Sequence, residues 1–139
     1  MTTLTTCTMP SPVGPLVLFA DETGLRAVLW PGEGIDAFRL DGAQTEEADP
    51  VLVETRRQLD EYFAGSRQTF DLPLAPKGTA FQQSAWQVLR EIPFGDTISY
   101  GEQARRLGDP NKARAVGAAN GRNPIPIIVP CHRVVGASG

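Results

Sequence analysis

Apolar residues recur in two rhythms along this 139-residue chain, and the change of rhythm falls near its middle. The first thirty positions carry short β-rich runs broken by turn residues. Leu16-Val17-Leu18-Phe19 and the run Leu25 to Trp30 flank Asp21-Glu22-Thr23-Gly24, a hairpin signal. Pro31 to Asp49 is polar and glycine-rich and reads as loop with room for one more short strand. Asp49-Pro50 then opens a helix, aspartate as N-cap and proline at the first helical position. Its buried stripe is Leu52, Leu59, Tyr62 and Phe63, and Gly65 ends it. Thr69 to Leu74 fits a strand, and Pro73 with Pro76-Lys77-Gly78 marks a boundary.

Beyond that boundary the period becomes helical. Thr79 and Gln82 form a capping box, and Phe81, Ala85, Val88, Leu89 and Ile92 fall on one face until Pro93. Ser99 and Glu102 form a second box opening a short helix through Leu107. Gly108 turns the chain, Asp109 caps a third helix begun by Pro110, and that helix runs to Asn120 and stops at Gly121. Two short helices joined by a tight glycine turn make a helix-turn-helix pattern. The third helix carries Ala113, Ala115, Gly117, Ala118 and Ala119, with Lys112, Arg114 and Arg122 as its charges. Small residues serve close helix packing, and they also suit a helix pressed on a duplex in its narrower minor groove.

Composition adds bounds. The hydrophobic fraction of 41% supports a core in one domain or two small ones. No apolar stretch spans a bilayer and no N-terminal signal pattern appears, so the expected location is the cytoplasm. Cys7 and Cys131 lie far apart, which fits a reducing compartment; Cys7 is assigned to strand packing. With one histidine besides, ligands are too few for a structural zinc.

The net charge of −3 argues against a nucleic-acid partner until the chain is divided. Residues 1–75 hold 5 basic against 12 acidic residues (−7), and residues 76–139 hold 8 against 4 (+4). An acidic half joined to a basic half suggests one face toward an anionic polymer.

The basic half also holds the candidate chemistry. Pro126 to Ala137 sets Cys131 beside the only histidine, His132, after an apolar run bracketed by prolines. A thiol attacks only as thiolate, so a proton acceptor and nearby positive charge are what a reactive cysteine needs. The prolines deny this stretch a helix interior or a central strand. A buried structural thiol and a Cys–His hydrolase remain alternatives at this point.

Five pieces, in order and spacing, narrow the choice: Phe81-Gln82 with Trp86; Ile98-Ser99-Tyr100-Gly101-Glu102; Ala113-Arg114-Ala115-Val116-Gly117; Asn123-Pro124; and Pro130-Cys131-His132-Arg133. Residues 79–139 thereby resemble the catalytic domain of the O6-alkylguanine-DNA alkyltransferases. The first half resembles that family's N-terminal domain more loosely, through Ser11 to Leu16 and Leu59 to Gly65. The resemblance implies an α+β protein. Residues 1–75 would form a small antiparallel, ribonuclease H-like supportive domain, and residues 76–139 a helical catalytic domain with a winged-helix-like helix-turn-helix.

The implied reaction is one irreversible transfer of an alkyl group from O6 of a flipped guanine in duplex DNA to Cys131, without a cofactor. The target atom lies inside a base pair, so the nucleotide must rotate out. By the same resemblance His132 is a water-mediated base and Asn123 joins the third helix to the active-site turn. Arg114 is the finger that fills the gap left by the base, and Tyr100 pushes the phosphate. Ala113, Ala115, Gly117 and Arg122 would meet DNA from the minor-groove side; Val134 and Ser138 would line the base pocket. The implied protein is a monomer in solution, with cooperative loading on DNA left open. Family members continue beyond this point with a glycine-rich loop bearing a pocket tyrosine, then a helix with a glutamate that completes the Cys–His network. A chain that ended at Gly139 would be expected to bind DNA yet transfer slowly or not at all; the favoured expectation is that the sequence stops short of the native end and that the transfer itself is intact. The alternative is a non-catalytic alkyltransferase-like lesion binder.

Overall fold

The computed structural model describes residues 3–31, 33–35 and 38–136. The chain divides into two compact units, Met1–Lys77 and Gly78–Gly139.

The first unit is built on a four-stranded sheet ordered β3-β2-β1-β4. Strands β1 (Thr5–Met9), β2 (Leu16–Asp21) and β3 (Gly24–Leu29) pair antiparallel; β4 (Gln44–Thr45) joins β1 in parallel. One face carries Phe19, Ala27 and Leu29 with Leu40 against them. The opposite face aligns Cys7, Leu18 and Val28. Helix α1 (Pro50–Phe63) lies over it, where Arg56 Nη1 donates to Cys7 Sγ at 3.0 Å. Both faces are covered, which is why β2 and β3 are buried along nearly their whole length; the one charge inside β3, Arg26, is buried against Asp21 at 3.5 Å.

The hairpin signal resolves as Asp21 accepting from the Thr23 and Gly24 amides at 2.7 and 3.1 Å. Burial pushes the Asp21 carboxyl up, but the Thr23 hydroxyl and amide, the Gly24 amide and the Arg26 charge together bring it below its usual value. Gly24 takes φ +153°, and a Cβ there would sit 2.5 Å from the Pro73 carbonyl oxygen, so a side chain is excluded. Asp49 caps α1 by accepting from the Val51 and Leu52 amides. Leu52 and Leu59 are buried as the stripe requires, but Tyr62 and Phe63 at the helix end are only half-buried, and Thr55 and Gln58 complete the inward face instead.

Residues 69–74 are not the expected strand; only Leu74 bridges to Leu25. The buried Gln58 side chain accepts from the Asp71 amide and donates to its carbonyl, both at 2.9 Å, replacing a ladder partner. Leu25 N–H donates to the Pro73 carbonyl at 2.8 Å, and Pro73 has no N–H of its own to extend the pairing.

In the second unit α2 (Ala80–Arg90) begins at a complete Thr79–Gln82 capping box. A two-stranded parallel sheet pairs β5 (Ile98–Ser99) with β6 (Val134–Val135). Helix α3 (Tyr100–Arg106) is capped by Ser99, which accepts from the Glu102 amide at 3.0 Å. The second box is half-built. Glu102 turns its carboxylate to Arg105 and Arg106, and hydrogen bonds from Arg105 first and Arg106 second hold its pKa at about 2. Asp109-Pro110 opens a 3-10 turn, Pro110–Lys112, instead of an α-helical turn; α4 (Ala113–Gly121) follows it. Asp109 spends its cap on Asn111, inside the short turn, which delays the α-helix to Ala113.

Candidate functional site

Helix α4 has one large aliphatic anchor, Val116, fully buried with Ala119 and Asn120. So little bulk gives little packing, and polar bonds take up the work. Trp86 Nε1 donates to the Ala119 carbonyl at 2.8 Å, and its ring fills the space where Gly78 would place a Cβ, 2.5 Å away. Gln103 of α3 and Asn120 of α4 exchange amide hydrogen bonds at 3.1 and 2.9 Å, while Gln103 also donates to the Ala85 carbonyl at 3.0 Å. This buried pair lies outside the residues singled out in the sequence. No local signal marks it, because α3 carries too few apolar residues to show which face is inward.

Opposite that buried side, α4 exposes Arg114, Ala115, Ala118 and Arg122. Among the described residues, neither Arg114 nor Arg122 has a side-chain hydrogen bond or ion pair. Lys112 lies over the Phe81 ring at 5.6 Å. Ala113 and Gly117 are partly buried; the ring of Tyr100, at the start of α3, approaches to 3.7 Å from where a Cβ on Gly117 would lie. Tyr100 and Gly117 thus meet on one side of α4, while Ala115 and Ala118 line a shallow cleft with Phe81, Gln82 and Arg122.

The chain then leaves α4 through a series of tight turns that ends at Cys131. Asn123, 9% exposed, accepts from the Ile125 amide at 2.9 Å and donates Nδ2–H to the Val129 carbonyl at 2.8 Å. Ile128 N–H donates to the Pro126 carbonyl at 2.9 Å around Ile127, whose φ is +75°. That is a γ-turn of the rare, strained hand, on a β-branched residue. Pro130 (φ −84°, ψ 73°) centres a second γ-turn of the favoured hand, closed by Cys131 N–H on the Val129 carbonyl at 2.9 Å. A sparsely populated backbone position costs about 1–3 kcal/mol. Two hydrogen bonds from one buried amide, each worth about 1 kcal/mol net, are of the size needed to hold it.

Cys131 starts the 3-10 turn Cys131–Arg133 and is partly exposed. His132 is exposed; the partial desolvation it does suffer, then the Arg133 charge, lowers its pKa below 6.5. The ring is therefore neutral at pH 7 and able to take a proton. No described residue hydrogen-bonds it. Arg133 Nη1 donates to the Ile92 carbonyl at 2.7 Å, an anchor across 41 residues that the local sequence does not announce. Val134 is buried beside Ile98 in the small sheet. Ser138 lies outside the described residues.

The second unit thus sets a partly exposed thiol and a neutral imidazole after turns locked by Asn123, together with a helix-turn-helix whose open side is cationic and thin. A model of the 6-O-methylguanine DNA methyltransferase DNA-binding domain matches residues 80–139, and one of that family's ribonuclease-like domain matches residues 5–76. The methylated-DNA–protein-cysteine methyltransferase of Methanosarcina acetivorans is 50% identical over 129 residues, 93% of this chain and 81% of that protein. The crystal structure of Mycobacterium tuberculosis O6-methylguanine methyltransferase superimposes with a TM-score of 0.86 at 43% identity, over 100% of this chain and 81% of that one. The M. tuberculosis OGT structure in complex with DNA gives 0.84 at 42% identity, over 99% and 80%.

Proposed function

Since the chain belongs to the 6-O-methylguanine DNA methyltransferase family, matched in both of that family's domains, we propose that it repairs duplex DNA by direct reversal, moving an alkyl group from O6 of guanine onto Cys131. The observation that carries this reading is the partly exposed Cys131, presented by two hydrogen-bonded turns directly before His132, whose pKa is lowered. Sulfur forms a bond to the alkyl carbon as the bond from that carbon to O6 breaks, and guanine departs with the electron pair and takes a proton from solvent water. The thiol proton passes to His132 through a water. The thioether is stable, so each molecule acts once and no cofactor takes part.

Arg114 is the only exposed long side chain in the first turn of α4, which suits a finger entering the stack when the nucleotide rotates out. Tyr100, whose ring lies beside Gly117, would press the backbone phosphate. Ala113, Ala115 and Gly117 keep α4 thin enough for the minor groove, where Arg122 would meet phosphate. Asn123 fixes the turn that presents Cys131, and Val134 walls the base pocket. We read the protein as a monomer working in the reducing cytoplasm, in keeping with its two free cysteines.

Incubation with a duplex containing O6-methylguanine, followed by intact mass and peptide mapping, tests the proposal. One methyl group on Cys131 is expected. Duplex binding without that adduct would assign the chain to lesion recognition instead.

A further inference from the structure

Upstream of Cys131 the chain is held by Asn123. Downstream, the hold comes from a loop. Arg133 Nη1 reaches the Ile92 carbonyl at 2.7 Å, and its guanidinium lies over the Phe94 ring, 5.6 Å from the centroid. Ile92 is 1% exposed, so its carbonyl sits in a fixed frame just after α2. Phe94 is 49% exposed on a turn closed by Asp96 N–H on the Pro93 carbonyl, with Gly95 at φ +87°. Four residues on, Ile98 pairs with Val134, so both ends of this loop bind the segment that follows Cys131.

We propose that Arg133 and Phe94 are positioning residues for alkyl transfer: the ring fixes the plane of the guanidinium, the guanidinium holds the Ile92 carbonyl, and the turn carrying Cys131 is kept in one register. The inference rests on the alkyl-transfer reading given above. A guanidinium donates only within its own plane; here one N–H is aimed at the Ile92 carbonyl while the Phe94 ring sits 5.6 Å from the same group. The bond is charge-assisted and so stronger than a neutral one. A half-exposed aromatic at a turn tip gains a role that core packing does not give it. The geometry matters because small misplacements of a reacting atom are costly; a shift of roughly 1 Å can cost about 100-fold in rate.

Single-turnover transfer from an O6-methylguanine duplex is measured for the wild-type chain, Arg133→Met, Phe94→Ala and Phe94→Tyr, beside the Kd for an unmodified duplex and the melting temperature. Arg133→Met and Phe94→Ala are expected to slow transfer about 10- to 100-fold at unchanged Kd, and Phe94→Tyr to restore the wild-type rate. Wild-type rates in both variants overturn the proposal, as does a loss that merely follows Kd or stability. Should Arg133→Met fail to fold, Phe94→Ala decides alone, since that side chain lies outside the core. If the wild-type chain acquires no methyl group, the alkyl-transfer reading has failed. The clamp is then read from hydrogen exchange at the Cys131 and Arg133 amides, faster in Phe94→Ala if it holds and unchanged if it does not.

Discussion

Asn123 and Cys131 share one acceptor. The Val129 carbonyl takes the Asn123 Nδ2–H at 2.8 Å and the Cys131 amide at 2.9 Å, so the side chain that ends the helix-turn-helix also sets the peptide preceding the nucleophile. Asn123→Ala leaves the buried Ile125 amide without its partner and should cost about 1–3 kcal/mol, lowering the melting temperature by several degrees. Asn123→Asp keeps the acceptor for Ile125 but sets a carboxylate oxygen against the Val129 carbonyl. Calorimetry and single-turnover assays should rank both well below wild type in transfer. An aspartate variant that transfers normally would show that the bond to Val129 has no part in placing Cys131.

Cys131→Ala should abolish transfer while leaving duplex affinity intact, because the hydrogen bond from Cys131 to Val129 is made by its backbone amide, which alanine retains. Mass spectrometry and fluorescence anisotropy read the two quantities separately. Methylation elsewhere on the alanine variant would move the acceptor role away from this residue.

Arg114→Ala removes an exposed side chain with no described partner, so the stability should stay within about 0.5 kcal/mol of wild type. Transfer from a duplex should fall at least about tenfold, as expected for losing a contact made when the base leaves the stack. Transfer from the free O6-methylguanine base, which needs no flipping, should be unchanged. Equal losses on both substrates would reject the finger role.

Partial burial, with Arg133 beside it, places the His132 pKa below 6.5 in the folded chain. Between that value and 6.5 the unfolded chain binds more protons, so stability rises with pH across the window. The contribution is complete above pH 6.5 and is lost as pH falls through the folded value. The neutral ring is the proton acceptor, so the acid-side decline of the transfer rate should have its midpoint below pH 6.5, and His132→Gln should remove that inflection. A midpoint at or above 6.5 in the wild-type profile would contradict the assignment.

Gly117→Ala separates packing from DNA approach. The added Cβ would meet Tyr100 at 3.7 Å, an ordinary contact. Alanine in a helix interior should stabilise by about 0.5–1 kcal/mol. Duplex affinity should fall nonetheless, because the helix thickens on the side shared with Tyr100. A gain in stability with full affinity would leave the glycine a packing residue only.

Much of this arrangement was legible because it is local. The Asp49 and Thr79 caps, the hairpin around Asp21 and the breaks at Pro93 and Gly108 depend on residues a few positions apart, where side chain and backbone meet whatever the tertiary context. Reading failed where a competing partner decided. Glu102 matches a capping box by spacing, but two arginines on its own helix hold it more strongly. Residues 69–74 match a strand, but Gln58 bonds both polar groups of the Asp71 backbone. At the site, the prolines announced an irregular segment around Cys131 without disclosing the two γ-turns. Nothing near Arg133 in sequence points to Ile92.

The bond from Trp86 to Ala119 makes α4 optically addressable. The chain has two tryptophans, one in each unit, and Trp30 bonds its indole to the Val13 carbonyl in the first. In a Trp30→Phe background the remaining emission comes from an indole tied to the last turn of that helix. Stopped-flow fluorescence can then time the engagement of α4 with a duplex and separate it from the later chemical step, without an attached dye.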